Sequence, residues 1–133
     1  MISSRKLEDL LPDVAKKAHA HIEACKGEGI DLLVTCTFRD NEAQDALYAQ
    51  GRTKPGSIVT NAKAGQSMHQ YRVAYDVVPM KNGKPVWGTT GLNKILWERV
   101  GALGEKCGLQ WAGNWKRFKE YPHFQDVTAL DDQ

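Results

Sequence analysis

The sequence predicts one domain of mixed helix and β-strand. Three features carry this reading: two stretches whose apolar residues recur every three or four positions, β-rich runs of strand length, and Asn82-Gly83 between two such runs, a strong hairpin signal. With 133 residues the chain fits a single domain spanning 1–133, large enough to bury roughly 68% of the surface its unfolded form exposes. No disulfide or oligomer is needed to stabilise it, and a monomer is expected.

Leu7, Leu10, Leu11, Val14, Ala15, Ala18, Ile22 and Cys25 form the apolar stripe of a helical stretch over about 6–26. Pro12 divides it into a short turn and a longer helix, because proline suits a first helical turn and not an interior. Gly27-Glu28-Gly29 ends it. Ile30 to Thr37 is β-rich with imperfect alternation, which predicts a central strand covered on both faces. Asp40 or Asn41 caps a second helix carrying Ala43, Ala46 and Leu47 and ending at Gly51, with Gln44 placed as a capping-box partner of Asn41.

Arg52 to Gln66 has no apolar period and predicts a long loop of the kind that carries function. A strand over Val73 to Met80 then leads through the hairpin to a short return strand at Pro85-Val86-Trp87, whose proline marks a sheet edge. Leu92, Ile95, Leu96, Val100, Leu103 and Cys107 predict one face of a further helix, closed by Gly108. A short strand at Leu109-Gln110-Trp111, a turn at Ala112-Gly113-Asn114 and a last strand near His123 to Val127 complete the chain, with Asp131-Asp132-Gln133 expected to fray.

Composition narrows the functional classes. A net charge of +2 with one local basic cluster, Lys116-Arg117 and Lys119, lacks the strong clustered bias of a nucleic-acid binder. No apolar run approaches the roughly 18 residues of a membrane span, and the N-terminus has no secretory pattern. Cys25, Cys36 and Cys107 are odd in number and lack paired spacing, so free thiols are expected.

The chemistry gathers in two places. His69 and Asp76 flank a turn into a β-rich run, and Glu120-Tyr121-Pro122-His123-Phe124 adds a second imidazole and a second carboxylate. Alternate strand residues share a face, so Ala74, Asp76 and Val78 point together, and the odd step to His69 requires a turn at Gln70 to Arg72 if both are to reach one ion. Taken singly, each is as well explained by a surface role. Together, His69, Asp76 and His123 match a catalytic zinc site, which has three protein ligands and an open position where water is made acidic. A bend at Pro122 would bring Glu120 beside that position as general base and then acid. Arg39, just past the first strand, can stabilise an oxyanion or grip a carboxylate, although a surface pair with Asp40 or Glu42 accounts for it equally well. His19 and His21 have no spacing partner and read as structural.

Phe38-Arg39, Gln44, Leu47 to Thr53, Pro55-Gly56, Thr60, Ser67-x-His69, Ala74-x-Asp76 and Pro122-His123-Phe124 together resemble the VanY-type LAS peptidases, particularly single-domain phage endolysins that act as L-alanyl-D-glutamate peptidases. The resemblance runs from about Thr35 to Gln125. It implies an α+β fold of the Hedgehog/DD-peptidase type, a small antiparallel sheet flanked by helices, with one catalytic Zn2+. It further implies His69, Asp76 and His123 as metal ligands, Glu120 as catalytic base, Arg39 at the transition state, Ser67 beside the first ligand, and Trp111, Asn114 and Trp115 as a substrate wall.

Two departures stand out. The family usually has glycine where Arg72 stands, so either the turn differs or Arg72 reaches towards substrate. The base is often Asp in the endolysin branch, whereas Glu120 resembles the carboxypeptidase branch. The expected function is hydrolysis of the peptide stem of bacterial peptidoglycan by an endolysin held in the host cytoplasm and released through a holin pore, without stable membrane association. A D-alanyl-D-alanine carboxypeptidase and a non-catalytic, zinc-stabilised wall-binding module are the alternatives.

Overall fold

The structure, a computed structural model, describes residues 1–132. Helix α1 (Pro12–Gly27) starts on proline at its first turn, after a separate 3-10 turn at Leu7–Asp9, as Pro12 predicts. Strand β1 (Asp31–Cys36) is followed by α2 (Asn41–Ala49), β2 (Ala74–Lys81), β3 (Lys84–Pro85), α3 (Leu92–Lys106), β4 (Gln110–Trp111) and β5 (His123–Gln125). The sheet is antiparallel in order β1-β2-β5-β4, with β3 pairing the far end of β2. Asn82 and Gly83 both take positive φ, 55° and 75°, as a tight hairpin turn requires.

Helices α1 and α3 cover one face of this sheet. Val14, Ala18 and Cys25 of α1, Tyr75 and Val77 of β2, Trp97 and Val100 of α3, and Phe124 of β5 form its buried core. His21 lies inside that core, fully buried, with Nδ1 2.7 Å from the Tyr75 hydroxyl and Nε2 donating to the Val100 carbonyl at 2.8 Å. It is structural, and burial lowers its pKa. Gly101 and Gly113 pack against the Trp111 ring, and neither position has room for a Cβ.

Several sequence expectations give way here. β1 is an edge strand, half open to solvent, because it pairs only with β2; its imperfect alternation reflects a bulge between Val34 and Cys36 and not burial on both faces. The buried face of α3 is Trp97, Val100, Gly101, Leu103 and Gly104, while Leu92 and Ile95 are 80% and 63% exposed. The predicted stripe shares Val100 and Leu103 with that face but missed Trp97 and the glycines, which make room on it for Trp111 and Phe124. Asp40, not Asn41, caps α2 by accepting from Ala43 N, and Gln44 is turned inward. The return strand ends at Pro85, which frees Trp87, and β5 ends at Gln125. Val127–Asp132 is a 3-10 helix, and Gln133, the last of the residues expected to fray, lies outside the described residues.

A further 3-10 helix, Met68–Tyr71, precedes β2 and is closed by a reciprocal capping box between Ser67 and Gln70. Arg72 follows at φ 63°, ψ 27°, the left-handed conformation anticipated for a glycine. Two contacts hold it there: its guanidinium donates to the Asp9 carbonyl at 2.8 Å and lies 3.9 Å from the centre of the Phe38 ring. These contacts offset a backbone cost of about 1 kcal/mol.

Two stability measurements follow by chemical denaturation. Gly101→Ala, which improves helix propensity, is expected to lower stability by about 1–3 kcal/mol through collision with Trp111. Arg72→Gly is expected to be more stable than Arg72→Ala by about 1 kcal/mol, because alanine loses the side-chain contacts yet keeps the strained φ.

Candidate active site

Three strands bring Cys36, Asp76 and His123 into one row, since Cys36 is paired with Asp76 across β1–β2 and Asp76 with His123 across β2–β5. On β2, Tyr75 is turned to the helical face, where it meets His21, so Asp76 faces the opposite side. The same parity on β5 sends Phe124 into the core and His123 with Gln125 towards Asp76. His69 arrives from outside the sheet. The 3-10 turn and the left-handed Arg72 supply the reversal that strand parity demands.

The donor atoms of His69, Asp76 and His123 lie within 4.8 Å of one another. Asp76 Oδ1 is 3.2 Å from His69 Nε2 and 3.1 Å from His123 Nδ1. These separations are close to the spacing of about 3.4 Å between donors around one small tetrahedral ion with bonds near 2.1 Å. The far ring nitrogens have partners of the kind that fix metal-binding imidazoles: His69 Nδ1 donates to the Thr37 carbonyl at 2.9 Å, and His123 Nε2 is 2.8 Å from Gln125 Oε1. That arrangement leaves His69 Nε2 and His123 Nδ1 turned to the carboxylate. The donor set therefore fits a divalent metal.

The electrostatics agree. Burial alone would raise the Asp76 carboxyl, but the imidazoles beside it, His69 foremost, hold it well below the usual carboxylate range. Burial likewise disfavours a charged His69, and Asp76 reverses this and raises its pKa to about 10. The centre attracts positive charge.

Around it opens a cleft of about 790 Å³, whose lining includes Arg39, Ser67, His69, Asp76, Trp115, Glu120 and His123. Glu120 remains open to solvent at the residue level, yet burial of its carboxyl and the nearby Asp76 raise its pKa, against the opposing pull of His123, His69 and Arg39. The turn into β5 is closed by His123 N donating to the Glu120 carbonyl at 3.4 Å, which is the bend expected at Pro122. Arg39 is not a surface ion pair. Its Nη1 donates to Gln44 Oε1 at 2.7 Å and its Nη2 to Cys36 Sγ at 3.2 Å, while Asp40 and Glu42 serve the α2 cap and the chain's terminal amine.

Ser67 Oγ accepts from His69 N at 3.3 Å, and the Trp115 ring centre lies 5.7 Å from that of His123. Two expected members do not join the cleft wall. Trp111 is in the core, donating through Nε1 to the Tyr121 carbonyl, and Asn114 binds Glu105. Arg72, expected at the substrate, is turned away onto Asp9 and Phe38.

Sequence reasoning missed Trp87, Phe118, Gln125 and the role of Gln44. Gln44 is fully buried and donates to the Ala62 carbonyl at 2.7 Å, so it ties the 52–66 loop to Arg39. Strand parity applied to His123 would have found Gln125; nothing local marks Trp87 or Phe118.

Comparison with known proteins agrees with this geometry. Residues 60–126 match a peptidase M15 family model described as D-alanyl-D-alanine carboxypeptidase. The chain is 41% identical over 124 residues to the peptidoglycan L-alanyl-D-glutamate endopeptidase CwlK of Bacillus subtilis (strain 168), covering 90% of this chain and 74% of that protein. It is 30% identical to the L-alanyl-D-glutamate peptidase of Listeria phage A118 over 90% of this chain, but spans only 38% of the phage enzyme. In fold it is similar to the crystal structure of the L-Ala D-Glu endopeptidase ChiX of Serratia marcescens, with a TM-score of 0.68 at 19% identity over 99% of this chain and 93% of that one. With this sheet, this donor set and these relatives, the chain belongs to the M15 peptidase family.

Proposed function

We propose that the protein is a zinc-dependent endopeptidase that hydrolyses the L-alanyl-D-glutamate bond in the peptide stem of bacterial peptidoglycan. The observation that carries this is the convergence of His69, Asp76 and His123 beside Glu120 in one open cleft. The substrate is supported by the relative that is 41% identical and of which the chain covers 74%. His69 Nε2, Asp76 Oδ1 and His123 Nδ1 would hold the ion, and the histidine–carboxylate donor set is one that suits zinc. When bound, such an ion polarises a carbonyl and lowers the pKa of water to about 7.

The chain's own residues do the rest. Glu120 takes the proton of the attacking water and delivers it to the leaving amine. A raised pKa suits both duties, since the group must first be a base and then an acid. Arg39, its guanidinium fixed by Gln44 and Cys36, presents its remaining N–H donors to the developing oxyanion without reorganising. Ser67 holds the turn that carries His69, and Trp115 walls off the His123 side of the cleft. Storage in a host cytoplasm and release through a holin belong to the endolysin reading, which rests on the likeness to the phage enzyme. Among the described residues no helix is long and apolar enough to cross a membrane.

Mass spectrometry of digested muropeptides tests the bond: loss of the stem after L-Ala is expected, whereas release of free D-Ala would identify a carboxypeptidase instead. Glu120→Gln is expected to retain one zinc per chain and lose at least about 100-fold in kcat. Binding to walls with no cutting by the wild type would identify a binding module. The pH dependence has a definite sign. A base must be ionised to act, so kcat/KM should fall as pH drops through the Glu120 pKa.

A further inference from the structure

The catalytic cleft continues past Glu120 into a second groove lined by residues that include Val59, Trp87, Phe118, Lys119 and Tyr121. It shares Asp76, Trp87, Phe118 and Glu120 with the main cleft, so the two form one channel. Its rim is unusual in two ways. Trp87 and Phe118 are 55% and 66% exposed, large apolar side chains at the edge of a polar cleft. Phe118 also has φ 53°, a left-handed conformation that bulky residues rarely adopt. That kink immediately precedes Lys119 and Glu120, both of which line the groove.

Charge singles out Lys119. The side chains lining the joined cleft include the acids Asp76 and Glu120 and the cations Arg39 and Lys119. Arg39 is held by Gln44 and Cys36 and does not line the second groove. Lys119 is exposed and takes part in no ion pair among the described residues. Hydrolysis of an alanyl–glutamate bond places the glutamate nitrogen at the residue that returns the proton, Glu120. Glutamate has two carboxyl groups and only one continues the stem. The other lies a few bonds from that nitrogen, and Lys119 is the cation next to Glu120 in the groove lining.

We propose that Lys119, on the rim it forms with Trp87 and Phe118, is a specificity-determining residue that pairs with the free carboxylate of the glutamate on the leaving side of the scissile bond. This rests on the endopeptidase reading above. The kink at Phe118 turns its ring onto the rim, and the exposed rings of Trp87 and Phe118 shield the pair from solvent once substrate is seated. Partial exclusion of water is what makes such a pair discriminate, since a fully solvated one contributes little.

The test compares kcat/KM on two soluble acylated stem peptides that differ at one group, a glutamate carboxylate and its carboxamide. The wild type is expected to prefer the carboxylate by about five- to tenfold. Lys119→Met should bring the ratio close to one, and Lys119→Arg should restore the preference. A ratio unchanged in Lys119→Met, an equal loss on both peptides, or no preference in the wild type would overturn the assignment. If the wild type cuts neither peptide while releasing D-Ala from pentapeptide stems, the endopeptidase reading fails and this inference fails with it.

Discussion

Asp76 is a carboxylate held between two imidazoles on an inner strand of a small sheet, and the rest of the structure serves that placement. A buried acid is unfavourable unless positive charge or hydrogen-bond donors meet it. Here His69 and His123 meet the same oxygen at 3.2 and 3.1 Å. The arrangement favours a cation at the point where the three donors converge. It also needs three separate segments to be fixed at once, two by strand pairing and one by a turn.

The fixing is done from behind. Tyr75 and Phe124 are the neighbours of Asp76 and His123 on the far face of the sheet, and both pack on His21. His21 is tied to α3 through the Val100 carbonyl, so it joins the helical layer to the sheet behind the site. On the open side, Arg39, the buried Gln44 and the 52–66 loop are joined by side-chain hydrogen bonds.

Much of this was legible in the sequence because it depends on short-range rules. Pro12 marked the start of α1, Asn82-Gly83 the hairpin, and strand parity the need for a reversal between His69 and Asp76. The conformation of Arg72 meets that need, and its side chain lies on Asp9 and Phe38. What escaped depends on tertiary partners. The buried face of α3 is set by glycines that accommodate Trp111 and Phe124, and no periodicity in the helix itself contains that information. Gln44 looked like a local cap, but its amide is used by a wall residue and a loop distant in sequence. Trp87 and Phe118 enter the cleft from irregular segments, where no repeating pattern says which way a side chain turns.

The account depends on which atoms bind the metal. Anomalous X-ray scattering at the zinc edge, from crystals of the zinc-loaded protein, tests this directly. The account predicts one strong peak about 2.1 Å from His69 Nε2, Asp76 Oδ1 and His123 Nδ1 together. A peak bound elsewhere, or one that engages His123 through Nε2 in place of Nδ1, would contradict it.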